Sequence, residues 1–248
     1  MPKSSDNAPL MLSVSGARGI VGTTMTPAVA AAFSAAFGSF IKSSTRQSSP
    51  LLCVGRDSRP SGQNLACAAI AGLASTGCRV IDLGVVMTPS VAVMIGKHRA
   101  AGGLVITASH NPIEWNGIKC LNADGVAPPP AHAAEIVRRF KERDFDFAPP
   151  TASPAITTDD STHAEHIAKV LAAIDPTPIR RAKFKVVLDS VNGAGAIPGR
   201  ELLEALGCHV VPLGDQATGI FSHTPEPTRE NLGGLCEAVR KHSAVAGF

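Results

Sequence analysis

The chain has 248 residues, 44% hydrophobic and 17% charged, which is length enough for two modest domains with a core each. A net charge of +3 spread over dispersed basic residues, with no tyrosine and 4% aromatics, argues against nucleic-acid partners, and no apolar run nears the roughly 20 residues that span a bilayer. The six cysteines, at 53, 67, 78, 120, 208 and 236, form no CxxC pair and read as small buried thiols, not a disulfide frame or zinc site. With a polar stretch over residues 1–8 and no targeting segment, the expectation is a soluble cytoplasmic protein.

In chain order, Ser15-Gly16-Ala17-Arg18-Gly19-Ile20-Val21-Gly22 comes first, setting Arg18 among glycines ahead of a predicted helix over 27–42. Glycines let backbone approach an anion, and a guanidinium can grip phosphate with two donors. A buried strand over 51–57 ends in Arg56-Asp57, followed by Ser58-Arg59-Pro60-Ser61-Gly62, a helix over 63–76 and a strand over 79–83. The charged groups at 56, 57 and 59 read first as an ion-pair network at a strand end.

Next, the apolar run Gly103-Leu104-Val105-Ile106 delivers Thr107-Ala108-Ser109-His110-Asn111-Pro112 into a loop, with Asn116-Gly117-Ile118-Lys119 read as a second turn. Ser109 has no neighbouring base, yet a serine among cations can carry a phosphoryl group, and Lys119 lies ten residues on. His110 adjoins Ser109; were the chain extended there, the two side chains would point apart, so His110 is expected to orient the loop or touch phosphate. The same loop holds Glu114 and the chain's one tryptophan, Trp115.

An amphipathic helix over 131–143 opens after Pro128-Pro129-Pro130, and the Pro-rich stretch 147–154 reads as a linker. A further helix is predicted over 161–174, and the order strand, glycine, helix, Gly-Cys, strand then repeats: a strand over 184–189, Gly193-Ala194-Gly195, a helix over 198–206, Gly207-Cys208 and a strand over 209–213. Lys241-His242 aligns with Lys97-His98, so Gly247-Phe248 falls opposite Gly103-Leu104, from which a fragment is expected. The alternation predicts an α/β fold of two similar three-layer α/β/α domains with mixed, mainly parallel sheets, the second incomplete. Their expected bounds are 1–150 and 155–248. Gly193 to Gly199 has the wrong spacing for a dinucleotide loop, and His163, Glu165 and His166 read as a solvated helix face without a third metal ligand.

Four ordered segments, 15–22, 54–62, 107–119 and 189–195, resemble the α-D-phosphohexomutases, the superfamily of phosphoglucomutase/phosphomannomutase and phosphoglucosamine mutase, in register from about Leu10 to Phe248. The resemblance implies that Ser109 is stored as phosphoserine and exchanges its phosphoryl group with a hexose phosphate through a bisphosphorylated hexose, which also serves as activator. It implies Lys119 as general acid/base and Arg18 and His110 as partners of the phosphoryl group. It implies magnesium bound through the phosphoserine oxygen of Ser109; the family's Asp-x-Asp-x-Asp-Arg loop does not occur in this chain. A fragment lacking those ligands is expected to be inactive alone. The partners implied are glucose, mannose or glucosamine phosphates, with no nucleic acid or membrane, and the oligomeric state stays open. The rival reading is a non-catalytic α/β binding or scaffold module that kept the loop by descent; a serine hydrolase lacks its Gly-x-Ser-x-Gly elbow here.

Overall fold

The computed structural model describes residues 9–248; the polar stretch 1–8 lies outside them. They divide into two compact units. The first runs up to Asp57 and takes in Ser61–Ser109 and Glu114–Thr162; the second comprises Ser58–Pro60, His110–Ile113 and His163–Phe248.

The first unit is built on strands β1 (Met11–Ser13), β2 (Gly16–Ile20), β3 (Leu51–Arg56), β4 (Arg79–Val85), β5 (Gly102–Ile106), β6 (Trp115–Asn122) and β7 (Ile156–Thr158). They form one sheet in the order β1-β2-β6-β5-β3-β4-β7, parallel among β5, β3, β4 and β7 and antiparallel from β5 through β6 and β2 to β1. Crossovers are made by helices α1 (Pro27–Thr45), α2 (Gly62–Ser75) and α3 (Thr88–His98), with α4 (Pro130–Glu142) after β6. Successive strand side chains face opposite ways. Leu104, Ile106, Ile118 and Cys120 therefore join Phe33, Phe37, Leu65 and Leu73 of α1 and α2, while Val105 and Leu121 join Val91, Met94 and Ile95 of α3. Helix on both faces of a mainly parallel sheet is the three-layer plan expected from the alternation.

The second unit holds α5 (Thr162–Ala172, whose first residue belongs to the first unit), α6 (Thr177–Ala182), β8 (Lys185–Asp189), α7 (Ala196–Ala205), β9 (His209–Leu213), α8 (Gly233–Lys241) and β10 (Ala246–Gly247). Its parallel sheet has the order β10-β8-β9, and its core is small: a cluster of Val187, Leu235 and Ala238, with Val211, Leu213, Leu232 and Val239 packed against them, and Val186, Ala196 and Leu206 buried besides.

Several expectations need correction. Asn116 to Lys119 is no turn but part of β6, because Asn116 is buried and ladders to β2 and β5 on both sides outweigh the local Asn-Gly preference. The Pro-rich stretch is not a free linker. Ala148 N–H bonds Ser75 O, Asp146 pairs with Lys42 at 2.9 Å, and β7 adds in parallel to β4. Only Cys53, Cys78 and Cys120 are buried; Cys67 and Cys236 are exposed and Cys208 is half-buried. Burial pushes the Cys53 thiol up to about 12. His163 and His166 are half-buried rather than solvated, and desolvation lowers the pKa of both. Among the described residues no helix is long and apolar enough to cross a membrane.

Candidate active site

Ser109 stands in the loop after β5, exposed, with φ +60°, a left-handed backbone that serine rarely adopts. That conformation removes the premise of extended chain at 109–110, so strand alternation no longer says where His110 points; His110 is exposed and opens the 110–113 segment. Local bonds hold the serine backbone in place. Its N–H donates to Thr107 Oγ1 at 3.0 Å, and Thr107 Oγ1 donates to Asp57 Oδ2 at 2.7 Å. Asp57 N–H bonds Ile106 O, and Thr107 N–H bonds Gly117 O, both at 2.9 Å, so the ladders on either side of β5 continue past its end.

Arg18 and Lys119 reach this place from neighbouring antiparallel strands. Arg18 is paired with Gly117 and Gly16 with Lys119 in the β2–β6 ladder. Gly16 has φ +119°, and a Cβ there would sit 1.9 Å from Ile118 O, so only glycine lets β2 close on β6. Both cations are half-buried, and with Thr107 and Ser15 they line a cavity of about 210 Å³. Burial lowers the Lys119 pKa, the Arg18 guanidinium lowers it further, and the Asp57 carboxylate opposes both. The cavity thus joins a fixed cation to an amine biased toward its neutral form, a combination suited to holding an anion and moving a proton.

Arg59 matters more than a strand-end ion pair would. It is fully buried, donates to Asn111 O at 2.7 Å and Pro112 O at 2.8 Å, and lies 4.9 Å from the Phe221 ring centre. Sequence reasoning misses its part in shaping the loop, because two carbonyl acceptors leave no trace in residue types. Asn192, left-handed beside a left-handed Val191, likewise works through main-chain groups. Its side chain accepts from Gln216 N–H and donates to Ile220 O, while its carbonyl accepts from Ser58 Oγ. Nearby, His223 Nε2 meets Asp189 Oδ2 at 2.9 Å and its Nδ1 meets Thr224 O, which raises the histidine pKa chiefly through the Asp189 bond.

Among the described residues no group of three or more His, Cys, Asp or Glu side chains is placed to hold a metal ion. The donor set for a magnesium ion is therefore not supplied by these residues.

Residues 10–147 match the family described as phosphoglucomutase/phosphomannomutase, α/β/α domain I, and residues 161–248 match its α/β/α domain II. The phosphoglucomutase/phosphomannomutase of Thermococcus kodakarensis is 39% identical over 94% of this chain and 51% of its own length. A protein of Methanopyrus kandleri named as a probable phosphoglucosamine mutase is 33% identical over 94% of this chain and 50% of its own. The crystal structure of a phosphoglucomutase/phosphomannomutase family protein from Burkholderia thailandensis superposes with a TM-score of 0.80 at 27% identity, covering 96% of this chain and 52% of that one. The chain spans about half the length of the curated relatives it matches.

Proposed function

Because the chain belongs to the phosphoglucomutase/phosphomannomutase family, we propose that it forms the phosphoryl-carrying part of an α-D-phosphohexomutase, an isomerase of hexose phosphates, with Ser109 as the carrier. A hydroxyl of the hexose phosphate attacks phosphorus of phosphorylated Ser109, and the serine Oγ leaves with the bonding electron pair. Lys119 takes the hydroxyl proton. The bisphosphorylated sugar then presents its other phosphoryl group, Ser109 Oγ attacks it, and the departing sugar oxygen recovers the proton from Lys119. Arg18 balances the charge on the phosphoryl oxygens, and His110 contacts the phosphoryl group or steadies the loop.

The observation that carries this reading is the shared cavity of Arg18 and Lys119 beside Thr107, two residues before an exposed Ser109, with the lysine pKa lowered. Lysine can act as a base near neutrality only when its surroundings disfavour the cation, and both burial and Arg18 do so here.

Magnesium would stabilise the oxygens of the transferring group, with the phosphoserine oxygen of Ser109 as one donor. No carboxylate cluster among the described residues fits it. The 248-residue chain by itself is therefore expected to accept a phosphoryl group without completing the isomerisation. The substrate class is glucose, mannose or glucosamine phosphate, met in the cytoplasm.

Incubation with glucose 1,6-bisphosphate and magnesium followed by intact-mass and peptide analysis tests the proposal. One phosphoryl group on Ser109, absent from Ser109→Ala, is expected. An unmodified chain at every donor concentration would leave the non-catalytic module as the better reading.

A further inference from the structure

Asp57 follows the last residue of β3 and carries a carboxylate that the mechanism above does not use. Its backbone N–H is spent on Ile106 O, which carries the β3–β5 register one step beyond the strands and sets the carboxylate beside Thr107. The direction of the next two bonds is fixed by chemistry. Ser109 N–H can only donate, so Thr107 Oγ1 accepts there, and its single proton goes to Asp57 Oδ2. Thr107 is 6% exposed, so the hydroxyl that the two bonds share is largely kept from water. The residue at the end of this chain of bonds is the one with the left-handed backbone. A serine at φ +60° is strained and persists where its surroundings enforce it.

We propose that Asp57 is a positioning residue of the reactive loop, holding the Ser109 backbone through the Thr107 hydroxyl while serving as the anionic neighbour of Lys119. The inference rests on the mutase reading for its purpose, not for its geometry. Few charged groups among the described residues act on Lys119. Arg18 projects from β2, and β5 on the other flank of β6 is Gly-Gly-Leu-Val-Ile, with no ionisable residue. Asp57 accepts from Thr107 Oγ1, and Thr107 lines the same cavity as Lys119, so the carboxylate lies one side chain from that cavity and favours the ammonium form. A single side chain thus has two duties.

Substitutions can separate those duties. In Thr107→Val the Ser109 amide loses its acceptor, and its hydrogen exchange, read by NMR, is expected to quicken by at least about tenfold, with Thr107→Ser restoring protection. The pH at which Lys119 becomes reactive to acetic anhydride, read by peptide mass analysis, should stay put in both. Asp57→Asn keeps an acceptor for the threonine proton but removes the charge: Ser109 protection should survive while the Lys119 midpoint moves to lower pH. Asp57→Ala should show both changes. Unchanged Ser109 exchange in folded Thr107→Val, lost protection in Thr107→Ser, or an unmoved Lys119 midpoint in Asp57→Asn would each overturn the proposal. None of these measurements involves a sugar phosphate, so a chain that keeps the relay yet takes no phosphate fails the functional reading alone.

Discussion

At the scale of single residues, the lysine is where charge and function conflict. Lys119 is held with its cation disfavoured by burial and by Arg18. Its folded pKa is below the ordinary value of about 10.4, so the cost to stability is fully present below the folded pKa and fades as pH rises toward the unfolded one. Lys119→Met is therefore expected to raise the urea midpoint at pH 7. On the proposed reading it should also slow phosphorylation of Ser109 by glucose 1,6-bisphosphate by roughly a hundred- to ten-thousand-fold, as loss of a general acid/base does. An unchanged or lower midpoint would mean the ammonium is well solvated. Arg59 presents the opposite balance. Replacing it with methionine strips two donors from Asn111 O and Pro112 O at a fully buried position, which should cost about 2–4 kcal/mol in urea unfolding and speed proteolysis at 109–113. Ser109, Lys119 and Arg18 stand out by residue type within a motif, so the amino-acid sequence alone makes them legible. Arg59 and Asn192 work through main-chain oxygens and amides, which any sequence supplies.

At the scale of elements, strong periodicity is readable and weak pairing is not. β3, β4, β5, α1 and α2 bury long apolar runs, and their bounds fall within a few residues of those expected. β7 is three residues, all exposed, and shows no alternation to read. β2 is opaque for another reason: Gly-Ala-Arg-Gly-Ile has turn-like composition, yet Gly16 is there for closeness to β6, not for bending. Gly16→Ala should force the pair apart, since the added carbon meets Ile118 O and the φ of +119° strains any other residue. A loss of about 2–4 kcal/mol in urea unfolding is expected. Because β2 carries Arg18, the Lys119 acetylation midpoint should also move to higher pH as the guanidinium withdraws. If the midpoint held while stability fell, Arg18 would not be what lowers the lysine.

At the scale of the whole chain, the two units differ in how much apolar surface they bury. The first has helices packed on both faces of seven strands; the second has three parallel strands and a buried cluster of Val187, Leu235 and Ala238. Unequal cores give unequal local stability, so unfolding in urea should show two transitions, with amides of β8 and β9 exchanging before those of β3 and β5. The lower transition carries a pH signature. His223 gives both ring nitrogens to acceptors, Asp189 Oδ2 and Thr224 O, so the fold favours the imidazolium and the pKa is raised. Its contribution is complete below the unfolded value of about 6.5 and is lost as pH climbs through the raised folded value. The lower transition should therefore sit at higher urea at about pH 5.5 than at about pH 8.5, by an increment that His223→Gln removes, with the upper one unaffected. A single transition, or an increment that survives the substitution, would show that the second unit draws its stability from something other than the Asp189–His223 pair.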